Sequence, residues 1–123
     1  MRKTIFILED DDDLRTLYGY IFADEDYDII TFANVKAFME SSHQIPNLYL
    51  LDVMLPDGDG IMLCNQLKGN TLTAGVPVIM VSAHKDIADV KHECEGAEFI
   101  AKPFDIEKLT KMVSEKINFI SES

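Results

Sequence analysis

The 123-residue sequence contains no tryptophan, only two cysteines, and only 11 basic residues against 22 acidic ones. The net charge of −11 disfavours nucleic acid and anionic membrane surfaces as partners, and it favours cations or basic protein patches. The longest apolar runs are only a few residues, too short to span a membrane. No small-residue cleavage site follows the apolar start of the chain, so a secretory signal is not expected. These absences predict a cytoplasmic protein.

The two cysteines, Cys64 and Cys94, lie 30 residues apart, and neither stands in a pattern typical of metal ligands. Isolated cysteines of this kind usually behave as small buried apolar side chains. We therefore expect two buried free thiols in a reducing compartment, not a disulfide.

Five short apolar runs punctuate the chain and have the length of strands. They are Ile5–Leu8, Ile29–Phe32, Leu48–Leu51, Val76–Val81 and Phe99–Ala101. Their apolar residues are consecutive, not alternating, which is typical of strands covered on both faces, as in a parallel sheet.

Patterns with helical spacing separate these runs. They pass through Leu14–Phe22, Val35–Met39, Ile61–Leu67, Ile87–Cys94 and Ile106–Ile120. Strands that alternate with helices indicate right-handed βαβ units. The sequence therefore predicts one α/β domain over residues 1–123, a doubly wound (βα)5 fold with a five-stranded parallel sheet.

Side chains able to do chemistry follow four of the five predicted strands. Glu9 and Asp10 follow the first strand, Asp52 the third, Ser82 the fourth and Lys102 the fifth. In an open parallel sheet, ligands bind at the carboxyl ends of the strands. We therefore expect these residues to meet at one edge of the sheet.

Three carboxylates in one place raise one another's pKa unless a cation lies between them. Oxygen ligands suit Mg²⁺, which is usually bound by one or two carboxylates, several waters and phosphate oxygens. A carboxylate in such a site can attack a phosphoryl group and form an aspartyl phosphate. Lys102 and the Ser82 hydroxyl would then neutralise and position that group.

The acidic run Glu9–Asp13 also has a simpler interpretation as a helix cap. That interpretation fits Asp12 and Asp13, and it leaves Asp11 open at the junction. It does not account for Glu9 and Asp10, which continue the strand directly. The segment Pro56–Gly60 predicts a turn and a helix start; a calcium-binding EF-hand is rejected, because Leu55 stands where such a loop needs an acid.

With these residues in view, the chain resembles the receiver domain of two-component response regulators over essentially its full length. The motifs that carry the resemblance are ILEDDDDLR, LLDVMLPDGDG, VIMVSA and AKPF, in this order. The resemblance implies a flavodoxin-like fold with strand order 2-1-3-4-5. It also implies a phosphoacceptor that receives its phosphoryl group from a histidine kinase or a phosphotransfer protein of a phosphorelay.

Residue by residue, the resemblance implies that Asp52 is the phosphoacceptor and that Ser82 and Lys102 contact the phosphoryl group. It implies a Mg²⁺ site made by Asp10, Asp52 and the Met54 carbonyl, with Glu9 helping directly or through water. The Lys102–Pro103 bond is often cis in the family.

Phosphorylation would draw Ser82 toward Asp52 and turn Phe99 inward. The face made by the fourth helix, the fifth strand and the fifth helix would then change its affinity for a downstream partner or output domain. A homodimer through this face is left open. The chain is expected to catalyse only its own phosphorylation and dephosphorylation, so it is not predicted to be an enzyme.

Two other classes of protein share parts of this pattern. A small Mg²⁺-dependent aspartyl-phosphate phosphatase or phosphotransferase often has a second acid two residues after the nucleophile, where this chain has Met54. A flavodoxin-like nucleotide or flavin binder needs a phosphate loop after the first strand, where five acids would repel a phosphate. No basic recognition helix is visible, so direct nucleic-acid binding is not expected.

Overall fold

The structure, a computed structural model, describes residues 2–41, 44–83 and 92–122. The five strands of its main sheet are β1 (Lys3–Leu8), β2 (Tyr27–Phe32), β3 (Leu48–Asp52), β4 (Val78–Ser82) and β5 (Glu98–Ala101). The helices are α1 (Asp12–Ala23), α2 (Val35–Ser41), α3 (Gly60–Gly69) and the C-terminal helix (Ile106–Glu122).

All strand pairs of the five-stranded sheet are parallel, in the order β2-β1-β3-β4-β5. This confirms the predicted fold class and strand order. The register sets Leu8 beside Leu51, Asp52 beside Val81, and Ser82 beside Ala101. The residues that end β1, β3, β4 and β5 therefore lie at one edge of the sheet.

Each central strand alternates its side chains between two apolar layers. One layer lies against α2 and α3, with Phe6, Leu8, Tyr49, Leu51 and Met80 among its members. The other lies against α1 and the C-terminal helix, with Ile5, Ile7, Leu50, Ile79 and Val81 among its members. Burial on both faces explains why these strands are apolar at consecutive positions.

The edge strand β2 departs from this pattern. Asp28, Ile30 and Thr31 are exposed, so β2 is covered less completely than the central strands. The predicted fourth strand also begins later than expected, at Val78, because Pro77 has no backbone N–H to donate to a neighbouring strand.

The predicted turn after β3 is a two-residue hairpin, in which Met54–Leu55 pairs with Gly58–Asp59. Asp59 then caps α3 by accepting a hydrogen bond from the Ile61 N–H. A side chain at Gly60 would collide with the Asp52 carbonyl oxygen, so only glycine allows the chain to turn this closely behind Asp52.

The predicted helix through Ile87 and Val90 lies outside the described residues, and the segment 92–97 consists of turns and bends. In the C-terminal helix, Leu109, Val113 and Ile117 are buried as predicted, whereas Ile106 is exposed. Among residues 2–41, 44–83 and 92–122, no helix combines the length and the apolar character needed to cross a membrane.

The prediction of free thiols was wrong, because Cys64 and Cys94 form a disulfide. Both residues are completely buried, as expected. The fold brings Cys64 of α3 against the segment that precedes β5, a proximity that spacing along the chain does not reveal. The argument for a reducing compartment from free thiols therefore falls away.

The disulfide is expected to stabilise the folded state, since it closes a loop across 30 positions of the chain. Reduction should lower the free energy of unfolding by about 3.5 kcal/mol by releasing that loop in the unfolded chain. Urea unfolding of the oxidised and the reduced protein measures this difference. A Cys64→Ala/Cys94→Ala double variant is the control, since its unfolding should not respond to reductant. Two titratable thiols in the unreduced protein would contradict the pairing.

Candidate functional site

The sheet brings four of the predicted site residues to its carboxyl edge in a compact group. Glu9, Asp52 and Ser82 are buried and Lys102 is mostly buried, although all four are polar or charged. Buried polar groups of this kind need partners. The contacts among them therefore define the site.

Lys102 joins two of the acids directly. Its Nζ donates to Glu9 Oε1 at 2.9 Å and to Asp52 Oδ2 at 2.7 Å. Burial alone would lower the pKa of Lys102, but the hydrogen bonds to Asp52 and Glu9 outweigh burial and raise it. The ammonium therefore stays charged between the two carboxylates.

Asp52 is held at both oxygens. Oδ2 accepts from Lys102 and Oδ1 accepts from the Met54 N–H at 3.1 Å. The Val53 N–H donates to the Val81 carbonyl, which ties the end of β3 to β4. These contacts give the Asp52 carboxylate one orientation, toward Lys102 and the open edge of the sheet.

Glu9 is almost completely enclosed, with 1% of its surface exposed. Its pKa is raised to about 7: burial is the largest cause and the nearby Asp52 charge adds to it, while hydrogen bonds from Lys102 and the Asp11 N–H act in the opposite direction. At neutral pH the Glu9 carboxyl is thus poised between its protonated and ionised forms.

Glu9, Asp10 and Asp52 form a group that could hold a metal ion, because one carboxylate oxygen from each lies within 4.8 Å of the others. Oxygen-only donors suit Mg²⁺. Asp10 is exposed, so the group opens to solvent on its side. The residues present therefore fit a hard divalent cation.

The remaining predicted residues lie around this group. Met54 follows Asp52 by two positions, and 68% of its surface is exposed. Ser82 ends β4, and its backbone carbonyl accepts from the Lys102 N–H at 2.8 Å. Phe99 of β5 is half-buried against the layer under α3. The Lys102–Pro103 bond is cis, as the resemblance implied.

The acidic run divides into separate roles. Asp11 is the N-cap of α1, and its carboxylate accepts from the Asp13 and Leu14 N–H groups. Asp12 and Asp13 occupy the first turn, where acids suit the helix dipole. The cap interpretation thus holds for Asp12 and Asp13 and also covers Asp11.

Three supporting residues were not found from the sequence. Arg15 of α1 donates to the Glu9 carbonyl. The Asp57 carboxylate accepts hydrogen bonds from the Lys36 and Val35 N–H groups, and these bonds lower the pKa of Asp57.

The third supporting residue, Tyr18, stacks on Phe104 with ring centroids 5.8 Å apart. Burial, followed by the charges of Glu9 and Asp52, raises the pKa of Tyr18. Of the three supporting residues, only Arg15 could have been noticed in the sequence, because it is a basic residue that closely follows the five acids.

The family assignment comes from sequence. The family described as the response regulator receiver domain matches residues 5–114. The chain belongs to this family, and it is a receiver domain of two-component signalling.

Named relatives agree. The chain is 33% identical over 108 residues to the transcriptional regulatory protein CssR of Bacillus subtilis, covering 85% of this chain and 46% of the relative. It is 29% identical over 120 residues to the DNA-binding response regulator MtrA of Mycobacterium tuberculosis, covering 95% of this chain and 51% of the relative. The chain thus spans about half the length of the curated relatives it matches.

Solved structures give the same fold. A signal receiver domain of a histidine kinase from Syntrophus aciditrophicus superposes with a TM-score of 0.90 at 27% identity, covering 98% of this chain and 94% of that one. A CheY-like receiver domain protein from Methanospirillum hungatei superposes with a TM-score of 0.87 at 25% identity, covering 99% and 98%.

The raised pKa of Glu9 predicts a specific pH dependence in metal-free buffer. Between pH 4.5 and about 7 the folded protein keeps a proton that the unfolded chain has released, so stability falls as the pH rises. The Glu9→Gln variant should lack this fall, which amounts to about 3 kcal/mol. Urea unfolding across this range measures it.

Glu40→Gln is the matched control, since Glu40 is exposed on α2. Its stability should follow the wild-type pH curve. Parallel curves for wild type and Glu9→Gln would contradict the raised pKa.

Proposed function

We propose that Asp52 is the phosphoacceptor of this receiver domain and that its phosphorylation requires Mg²⁺. The observation that supports this most strongly is the pair of hydrogen bonds from Lys102 to Glu9 and Asp52. This contact brings a nucleophilic carboxylate, a fixed cation and a second acid together at an edge of the sheet that solvent reaches.

The reaction follows from these groups. An Asp52 carboxylate oxygen attacks the phosphorus atom of the donor as the bond between phosphorus and the donor atom breaks, and the electron pair of that bond stays with the donor. The Lys102 ammonium then pairs with a phosphoryl oxygen, and the Ser82 hydroxyl donates to another. Hydrolysis of the aspartyl phosphate returns the carboxylate.

The proposed ligands of Mg²⁺ are Asp10, Asp52 and the Met54 carbonyl, with Glu9 acting directly or through water. A bound Mg²⁺ neutralises charge on the phosphoryl oxygens. Glu9 and Asp10 keep the ion within reach of the nucleophile. The short separation of the three carboxylates supports this assignment.

The proposed output is a change on the surface around β5. Ser82 moves toward the phosphorylated Asp52, and Phe99, which is already half-buried, turns further inward. The pairing of Ser82 with Ala101 supports a coupling between the end of β4 and β5. The helix-4 part of this face lies outside the described residues, so the proposal rests on β5 and the C-terminal helix.

We further propose that a histidine kinase or histidine phosphotransfer protein is the donor and that a protein partner or output domain reads the switch. Relatives described as DNA-binding response regulators support an output of this kind in longer proteins. The acidic charge of this chain argues against its own binding to nucleic acid. The chain acts on its own phosphorylation and dephosphorylation only. A cytoplasmic location stays a prediction.

Asp52→Asn should abolish phosphorylation, because an amide cannot act as the nucleophile. Intact-mass spectrometry after incubation with acetyl phosphate and Mg²⁺ checks this. The wild type should gain a base-labile phosphoryl adduct. Asp24→Asn, an exposed acid at the far end of α1, should retain it. An adduct that persists in Asp52→Asn would overturn the assignment of the phosphoacceptor.

Mg²⁺ should raise the melting temperature of the wild type, because it relieves the repulsion among the three carboxylates. At about one hundred times its dissociation constant, the ion should stabilise the fold by about 3 kcal/mol. Most of this gain should vanish in Asp10→Asn and persist in Asp24→Asn. An equal gain in all three proteins would place the ion elsewhere.

A further inference from the structure

We propose that Arg15 is a positioning residue for the metal site: its guanidinium group fixes the peptide between Glu9 and Asp10 and so sets the direction of the Asp10 carboxylate. This inference rests on the proposed function, since it concerns the same Mg²⁺ ligands. In this role Arg15 would be neither a ligand of the ion nor a contact of the phosphoryl group.

The contact is specific. Arg15 Nη1 donates to the Glu9 backbone carbonyl at 2.7 Å, and Nη2 pairs with the Asp12 carboxylate. Only 21% of the Arg15 side chain is exposed. The Arg15 N–H also donates to the Asp11 carbonyl as α1 begins. One residue thus holds both ends of the turn that leads from β1 into α1.

The held carbonyl belongs to the peptide unit that carries Asp10. A peptide unit is planar, so fixing the Glu9 C=O also fixes the Asp10 N–H and limits where its Cβ can point. The preceding amide is fixed as well, since the Glu9 N–H donates to the Phe32 carbonyl. The backbone is therefore rigid directly before Asp10.

Asp10 depends on this rigidity more than its neighbours do. The Glu9 carboxylate is held by Lys102 and the Asp11 N–H, and the Asp11 carboxylate is held as the cap of α1. Within the part of the chain that the structure describes, the Asp10 side chain is exposed and no contact holds its carboxylate. With no side-chain partner among the described residues, the positions open to its carboxylate depend on where the backbone places its Cα and Cβ.

If Arg15 served only to stabilise α1, its pair with Asp12 would be the contact that matters. The pair of Arg15 with Asp12 at i,i+3 stabilises a helix by only a few tenths of a kcal/mol. That pair does not require the second contact to the Glu9 carbonyl. It can be removed alone by Asp12→Asn, which leaves Arg15 free to hold the peptide.

Simple electrostatics predicts the opposite sign from positioning. Arg15 is a cation next to a cation site, so Coulomb repulsion alone would make Mg²⁺ bind more tightly when it is removed. Loss of a group that orients a metal ligand typically weakens binding about tenfold to a hundredfold. The direction of the change therefore decides between the two effects.

The test is calorimetric titration of the metal-free protein with Mg²⁺ alone. Arg15→Met keeps an unbranched apolar side chain but removes the guanidinium group, and it should raise the dissociation constant about tenfold or more. Arg15→Lys keeps the charge but lacks the planar fork, and it should raise the constant about threefold. Asp12→Asn should have a smaller effect than Arg15→Met.

Arg2→Met is the matched control for the loss of a cation. Arg2 pairs with Asp26 and Asp28 beyond the other end of β1, about 20 Å away by strand geometry. At physiological salt its removal should change the constant by less than about twofold. Circular dichroism checks that each variant folds. If Arg15→Met does not fold, Arg15→Lys tests the inference in its place.

The outcomes separate the inference from the proposed function. The proposed metal site itself is overturned if the wild-type protein binds no Mg²⁺, or if the Asp10→Asn variant binds Mg²⁺ as tightly as the wild type. Mg²⁺ binding that needs Asp10 but is unchanged or tighter in the folded Arg15 variants leaves the site intact and overturns the role of Arg15. Weaker binding in these variants, with Arg2→Met unchanged, supports it.

Discussion

Two buried carboxylates, Glu9 and Asp52, share one ammonium group from Lys102, and the carboxyl edge of the sheet is organised around this contact. Charges out of water are stable only when they are paired and hydrogen-bonded. Here the pairing joins residues that are 93 and 50 positions apart in the chain, so it exists only when β1, β3 and β5 are in register. The fold and the site therefore depend on each other.

That dependence shapes the turns after β1 and β3, which carry the acids. Gly60 lets the chain turn behind Asp52, and Asp57 ties the hairpin to the first residues of α2. Phe104, which follows Lys102, stacks on Tyr18 of α1. Each acid or base of the site thus lies next to a segment that is packed against a neighbouring helix.

The sequence predicted the features that depend on neighbours in the chain. The central strands are apolar at consecutive positions because both of their faces are buried, and polar residues directly after them mark the edge of the sheet. The meeting of the site residues was predictable because a parallel sheet brings the ends of its strands to one edge. The disulfide between Cys64 and Cys94 and the exposed residues of β2 were not, because they depend on which elements the fold makes neighbours.

In the acidic run at the start of α1, the contacts made on folding give neighbouring acids different roles in the site. Five adjacent carboxylates would repel one another if all were equivalent, but the structure gives most of them separate partners: Lys102 for Glu9, backbone amides for Asp11, and Arg15 for Asp12. Asp10 stays exposed, within reach of Glu9 and Asp52. An acid that is held by its backbone and not by its side chain is available to an incoming cation, and its neighbours' partners keep the repulsion low until that cation arrives.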